Sequence, residues 1–178
     1  MILTLDVGNT NMTGGVFKED EIIATFRITT KIPRTSDEYG MMFTQLLHLK
    51  GISVGQVEGS IVASVVPDVM HSLTGGIVRY TNTRPLIIGP GVKTGIKITT
   101  ENPRAIGADR IVDAVAAYEK YGGPVLVIDF GTATTFGALD EKGTFLGGCI
   151  CPGVKLTSEA LVSGTAKLPH FELVMPDN

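Results

Sequence analysis

Two stretches of the chain share one grammar. In "MILTLDVGNTNMTGGVF" an apolar run ends at Asp6, Gly8 follows two residues later, then Asn9, Thr10 and Asn11, and apolar residues resume. In "PVLVIDFGTATTFGALD", which begins at Pro124, the order repeats through Asp129, Gly131, Thr132 and Thr134. A β-branched run, a short polar turn and a second apolar run make a hairpin. Counted from the aspartates, Asn9 matches Thr132 and Asn11 matches Thr134. Asp, Gly, Asn and Thr are ordinary turn residues, so either copy alone carries little weight. Two copies, each opening a run of three strands and a helix, indicate an internal duplication, and the chain is expected to build two related units.

The remaining segments alternate between strand and helix. Residues 21–29 read as a third strand. At Thr35-Ser36-Asp37-Glu38 a hydroxyl residue precedes a glutamate by three positions, and "YGMMFTQLLHLKG" follows with helical apolar spacing, which is a capping box opening a helix. Tyr39, Met41 and Met42 are expected to face the core of that helix's packing. "SIVASVVP" is a buried strand that stops at Pro67, residues 68–80 form a helix, and "PLIIGPG" is a short strand. "GADRIVDAVAAYEKYGG" is a helix ending at Gly122, with "VLVID" directly after it. Beyond the second turn come "TFGAL", a "DEKG" turn, "TFLGGCI" and a helix over about residues 156–162. This alternation predicts an α/β fold with mixed sheets.

Composition narrows the function classes. A chain of 178 residues can bury one substantial core or two small ones. No stretch of about 18 apolar residues occurs, and the start "MILTLD" has neither a basic region nor a cleavage site. The expectation is a soluble, cytoplasmic protein with no membrane partner. A net charge of −3 disfavours a nucleic-acid surface, which needs clustered Lys and Arg. Cys149 and Cys151 lack partners for a zinc set and are expected to be buried or idle thiols. His48, His71 and His170 are scattered without metal spacing.

A glycine turn between strands exposes backbone N–H groups, and Thr and Asn side chains add further donors, so such a concavity takes phosphate oxygens. An aspartate beside it repels bare phosphate but can hold a cation, or water around one, that bridges to phosphate. Two such turns facing each other would grip two ends of a polyphosphate. Neither is a GxxxxGK[ST] loop nor a GxGxxG fingerprint. A third stretch, "ENPRAIGADRIVDA", places Asp109 and Arg110 in the first turn of a helix. There an acid can simply complement the helix dipole, with its arginine pairing on the surface. Beside a phosphate clamp, the same aspartate could accept a hydroxyl proton and the arginine could hold a carboxylate.

"LDVGNTN", "ENPRAIGADRIVDAV", "VIDFGTATTF", "GGCICPG" and "GTAKLP" occur in this order along essentially the whole chain. Together they closely resemble the type III pantothenate kinases, members of the acetate kinase, sugar kinase, Hsp70 and actin superfamily with its duplicated ribonuclease-H-like fold. The resemblance implies a first unit over residues 1–115, carrying the start of the substrate helix, and an incomplete second unit over 116–178. It implies ATP contacts at Asp6, Val7, Gly8, Asn9, Thr10, Asn11, Met12, Thr13 and Thr132, with Asp6 associated with the Mg-nucleotide. Asp129 would hold a monovalent cation, K+ or NH4+. Gly107, Ala108, Asp109 and Arg110 would bind pantothenate, with Asp109 as proton acceptor and Arg110 towards the substrate carboxylate. Thr100 stands where many relatives have a tyrosine, at one further substrate contact.

The implied reaction is ATP-dependent phosphorylation of pantothenate, the entry step of coenzyme A synthesis, by a homodimer. Another small-molecule kinase of the superfamily, or a catalytically silent regulatory homologue, are the alternatives. Relatives continue for several tens of residues beyond "GTAKLP" with an Asn-Thr pair and a Gly-rich segment. The second unit is therefore expected to show an unpaired sheet edge and exposed apolar surface.

Overall fold

The structure is a computed structural model that describes residues 1–175. Positions 176–178, which end the second expected unit, lie outside the described residues. The strands β1 (Ile2–Val7), β2 (Asn11–Lys18) and β3 (Glu21–Thr29) form an antiparallel meander. Helix α1 (Ser36–Leu49) leads to β4 (Gly59–Ser64), which lies parallel to β1; α2 (Pro67–Thr81) then leads to β5 (Leu86–Ile87), parallel to β4. The five-stranded sheet has the order β3-β2-β1-β4-β5. After β6 (Lys97–Ile98) and α3 (Ala108–Tyr121), the meander is built again from β7 (Val125–Phe130), β8 (Ala133–Leu139) and β9 (Thr144–Pro152), followed by α4 (Val154–Gly164). This second sheet has the order β6-β9-β8-β7.

Period-two alternation sets which face each strand buries. Leu3, Leu5 and Val7 of β1, and Met12 and Val16 of β2, face a core that α1 and α2 cover with Tyr39, Phe43, Leu47, Leu73 and Ile77. The capping box is present: Thr35 Oγ1 accepts from the Glu38 N–H at 3.3 Å, and Glu38 accepts from the Thr35 N–H at 2.6 Å. Glycine lets the two helices close on each other. A Cβ on Gly76 would sit 2.6 Å from the Ser36 carbonyl oxygen, and one on Gly40 would enter the Tyr80 ring. Met41 corrects an expectation, being 51 % exposed. It lies two residues past Tyr39, off the stripe that runs through Phe43 and Leu47.

The second core is much smaller, with Ala114, Leu139 and Phe145 at its centre. Its sheet buries the face towards α3, while Leu126, Ile128 and Phe130 on the other face of β7 are 44–75 % exposed. Where β1 has β4 along its outer side, β7 is an edge among the described residues. Cys149 and Cys151 are both exposed rather than buried, because β9 leaves the core after Phe145.

The two meanders also revise the register of the repeat. Val7 pairs with Met12, which leaves residues 8–11 in the first turn; Phe130 pairs with Thr134, which leaves only 131–133 in the second. The first turn closes with Gly8 N–H donating to the Asn11 carbonyl at 3.0 Å, the second with Gly131 N–H donating to the Ala133 carbonyl at 3.0 Å. Asn11 therefore corresponds to Ala133 and Thr10 to Thr132. Counting forward from the aspartates misses a one-residue difference that only the strand pairing exposes.

Candidate phosphate cleft and active site

The two turns face each other across a cavity of about 590 Å³. The hydroxyls of Thr10 and Thr132 lie 3.0 Å apart, so each turn's threonine meets its counterpart in the other turn. On β1 the alternation that buries Leu5 and Val7 turns Asp6 to the cavity, and on β2 it turns Asn11 and Thr13 the same way. Val7 and Met12 are wholly buried, which leaves only their backbones for a ligand. Gly8 and Asn9 complete the first wall. A Cβ on Gly8 would lie 3.1 Å from the Asn11 carbonyl, so the closed turn favours glycine at this position.

On the other side Asp129, Gly131 and Thr132 line the cavity, backed by the start of α4. Gly153 N–H donates to the Thr132 carbonyl at 3.1 Å, and a Cβ there would lie 2.6 Å from the Gly131 carbonyl oxygen. The second turn is thus seated directly on the helix that follows its sheet.

Helix α3 brings Asp109 into the same cavity. Its Oδ1 accepts from the Arg110 N–H at 2.7 Å. Gly107 is the cap residue, and a Cβ there would run into the Asp109 carboxylate and lie 3.3 Å from Val65, so glycine gives the acid its room. One turn further on, Asp113 also faces the cavity. Burial, then repulsion from Asp129, Asp6 and Asp109, pushes the Asp113 carboxyl up to about 6. Burial and the charges of Asp109 and Asp129 raise Asp6 as well. Among the described residues no group of three or more Asp, Glu, His or Cys side chains is gathered as a ready-made metal site.

Arg110 sits elsewhere. Its Nη2 donates to the Phe136 carbonyl at 2.9 Å, its guanidinium lies over the Phe145 ring at 5.6 Å, and its buried Nε has no partner. Arg110 therefore ties α3 to the second sheet. Thr100 is outside the cavity lining, with its hydroxyl buried and unpartnered. Gly107 and Ala108 line a neighbouring, largely apolar cavity of about 700 Å³ with Val65, Ile98 and Ile111.

The cavity also holds residues that sequence reasoning missed: Arg27, Lys31, Asp113, Lys155 and Glu159. Asp113 had a signal, since four residues from Asp109 on a helix is the same face. Arg27 had none, because its place depends on the pairing of three strands.

A family model described as type III pantothenate kinase matches residues 2–178. The chain belongs to this family. It is 60 % identical to the type III pantothenate kinase of Agathobacter rectalis over 178 residues, which cover 100 % of this chain and 68 % of that one. Among solved structures it is similar to a Campylobacter jejuni protein assigned to the Baf family of transcriptional activators (TM-score 0.52, 17 % identity, 91 % of this chain and 59 % of that one). It is also similar to a Sinorhizobium meliloti protein assigned as a 2-dehydro-3-deoxygalactonokinase (TM-score 0.54, 12 % identity, 93 % of this chain and 57 % of that one). The chain thus spans less than two thirds of either solved structure. At such identities the likeness concerns the fold, which is that of the actin-like ATPases and sugar kinases. That architecture, with its mixed sheets in an α/β frame, is the one expected for this type III pantothenate kinase family member.

Proposed function

We propose that the chain transfers the terminal phosphoryl group of ATP to the hydroxyl of pantothenate, giving 4′-phosphopantothenate, the first step of coenzyme A biosynthesis. The observation that carries this reading is the meeting of both glycine turns and Asp109 in one cavity. In the transfer the substrate hydroxyl oxygen bonds to the terminal phosphorus and the bond from that phosphorus to the bridging oxygen breaks, leaving ADP. The hydroxyl proton passes to Asp109. The turns at residues 8–11 and 131–133 present backbone N–H groups and the Thr10 and Thr132 hydroxyls to the phosphates.

The donor set suits a magnesium ion that would arrive with the nucleotide, because Asp6 lines the cavity from the first sheet and Asp129 from the second, and no preformed cage exists among the described residues. Bound there, magnesium neutralises polyphosphate charge. Asp6 would be the carboxylate for it, and Asp129 would be the carboxylate for a monovalent cation, K+ or NH4+. Val65 lines both the polar and the apolar cavity, and Gly107 and Ala108 of the apolar one directly precede Asp109 of the polar one, a boundary that suits a substrate with a reacting hydroxyl and an apolar body. Arg110 is assigned to the substrate carboxylate, a role that requires its fork to turn from the Phe136 carbonyl into the cavity that Asp109 lines. The chain is taken to act in the cytoplasm as a homodimer, and no helix among its described residues is long and apolar enough to cross a membrane.

Coupled ADP production on adding pantothenate tests the reaction. Asp109→Asn is expected to lower kcat by about 10²–10⁴-fold. Unchanged turnover in that variant removes Asp109 from the role of base. Absence of ADP production by the parent chain with pantothenate, with turnover of neutral sugars instead, moves the assignment to another kinase of the superfamily.

A further inference from the structure

Strand pairing sets three side chains in one row on the cleft face of the first sheet. Asp6 of β1 is opposite Thr13 of β2, and Thr13 is opposite Arg27 of β3. Directly opposed residues project to the same face, and all three line the phosphate cavity. The end of β3 is tied to the first turn, since Thr30 N–H donates to the Thr10 carbonyl at 3.0 Å. Arg27 is exposed and makes no ion pair or hydrogen bond among the described residues, although Asp6, Asp109, Asp113 and Asp129 line the same cavity. Other cations near the site are committed or less fixed: Arg110 is spent on the Phe136 carbonyl, Lys155 pairs with Glu159 at 3.8 Å, and Lys31 lies beyond the strand.

The second meander repeats the row with one change. Asp129 is opposite Thr135, and Thr135 is opposite Ile150. Both halves supply an aspartate and a threonine, but only the first supplies a cation. A nucleoside triphosphate is asymmetric in the same sense, because its terminal phosphate carries more charge than the inner ones. We propose that Arg27 binds that terminal phosphate, its guanidinium donating to two non-bridging oxygens, and so directs the transferred group towards the first turn and Asp109. This rests on the kinase reading above. A planar fork with charge-assisted donors fits phosphate geometry better than a point charge does.

The experiment compares the full chain with Arg27→Gln and Arg27→Lys. Calorimetric titration with ADP and with a non-hydrolysable β,γ-imido ATP analogue, both with magnesium, is run beside steady-state kinetics. Arg27→Gln is expected to lose about 10–100-fold of the preference for triphosphate over diphosphate, while ADP affinity stays within about threefold. Its kcat is expected to fall by about 10²–10³-fold, with Arg27→Lys in between. An exposed residue on an edge strand contributes little to folding; if the glutamine variant nevertheless lacks a cooperative melt, the lysine variant decides by the same ratio. An unchanged ATP-to-ADP preference with unchanged kcat overturns the role of Arg27 and leaves the kinase reading intact. Equal weakening of both nucleotides also overturns it, because the terminal phosphate would not be what Arg27 reads. A parent chain that neither binds nucleotide nor makes ADP with pantothenate fails the kinase reading itself, and this inference with it.

Discussion

Asp113 shows how far one side chain's chemistry depends on its neighbours. Its carboxyl is raised from 3.8 to about 6, first by burial and then by Asp129, Asp6 and Asp109. Below about pH 4 the group is protonated in folded and unfolded chains alike, and above about pH 6 it is ionised in both. Between these limits the folded state holds the proton more tightly, so stability falls as pH rises through the window and stays lower above it. Asp113→Asn is expected to flatten that slope, stabilising the nucleotide-free chain by about 1 kcal/mol at pH 7.5 and by little at pH 4, after allowance for solvent screening of a partly exposed group. Urea unfolding in the absence of divalent cations measures this; an equal gain at both pH values would point to packing instead of charge. Asp109 was legible in the sequence because a helix start, a glycine and an adjacent arginine all mark its position. The part assigned to Arg110 was less so, since a sequence shows that an arginine is near a site but not that its fork already faces the Phe136 carbonyl.

At the scale of elements, the turns and caps were the readable parts because their chemistry is local. The capping box at Thr35 and Glu38 formed as its spacing predicts. Thr35→Ala is expected to cost about 1 kcal/mol, seen as a lower urea midpoint with an unchanged slope. Interhelical contact was not readable. Glycine is a poor helix former, yet Gly76 is where α2 approaches the backbone of α1. The neighbour there is a carbonyl, which cannot swing aside, so Gly76→Ala is expected to destabilise the chain by about 1–3 kcal/mol despite alanine's better helix propensity. A stabilised variant in thermal melts would show that α1 and α2 separate without cost. The repeat's register belongs to the same scale. Composition identified both turns, but the difference in their lengths became visible only through which residues pair across each hairpin.

For the whole molecule the decisive contrast is between two cores of unequal size. The first gathers Leu3, Val7, Phe43, Leu47, Leu73 and Ile77 under two helices, whereas the second rests on Ala114, Leu139 and Phe145. Opening free energies follow local burial, so amides of β7, β8 and β9 are expected to exchange with deuterium well before those of β1, β2 and β4. Matching protection across both sheets would mean that the halves unfold as one unit. Phe145→Ala, expected to cost about 3–5 kcal/mol, should accelerate exchange in the second sheet and leave the first largely as it was. The contact between Thr10 and Thr132 carries a different consequence. In a symmetric pair of identical chains, a residue on the twofold axis meets its own copy, and any mutation there alters both sides together. Joining the copies in one polypeptide ends that constraint. One turn has gone without a residue that the other has, and isoleucine stands opposite one threonine where arginine stands opposite the other. Two similar halves carried in one chain are thus like two hands that touch at the thumb, free to be a left and a right.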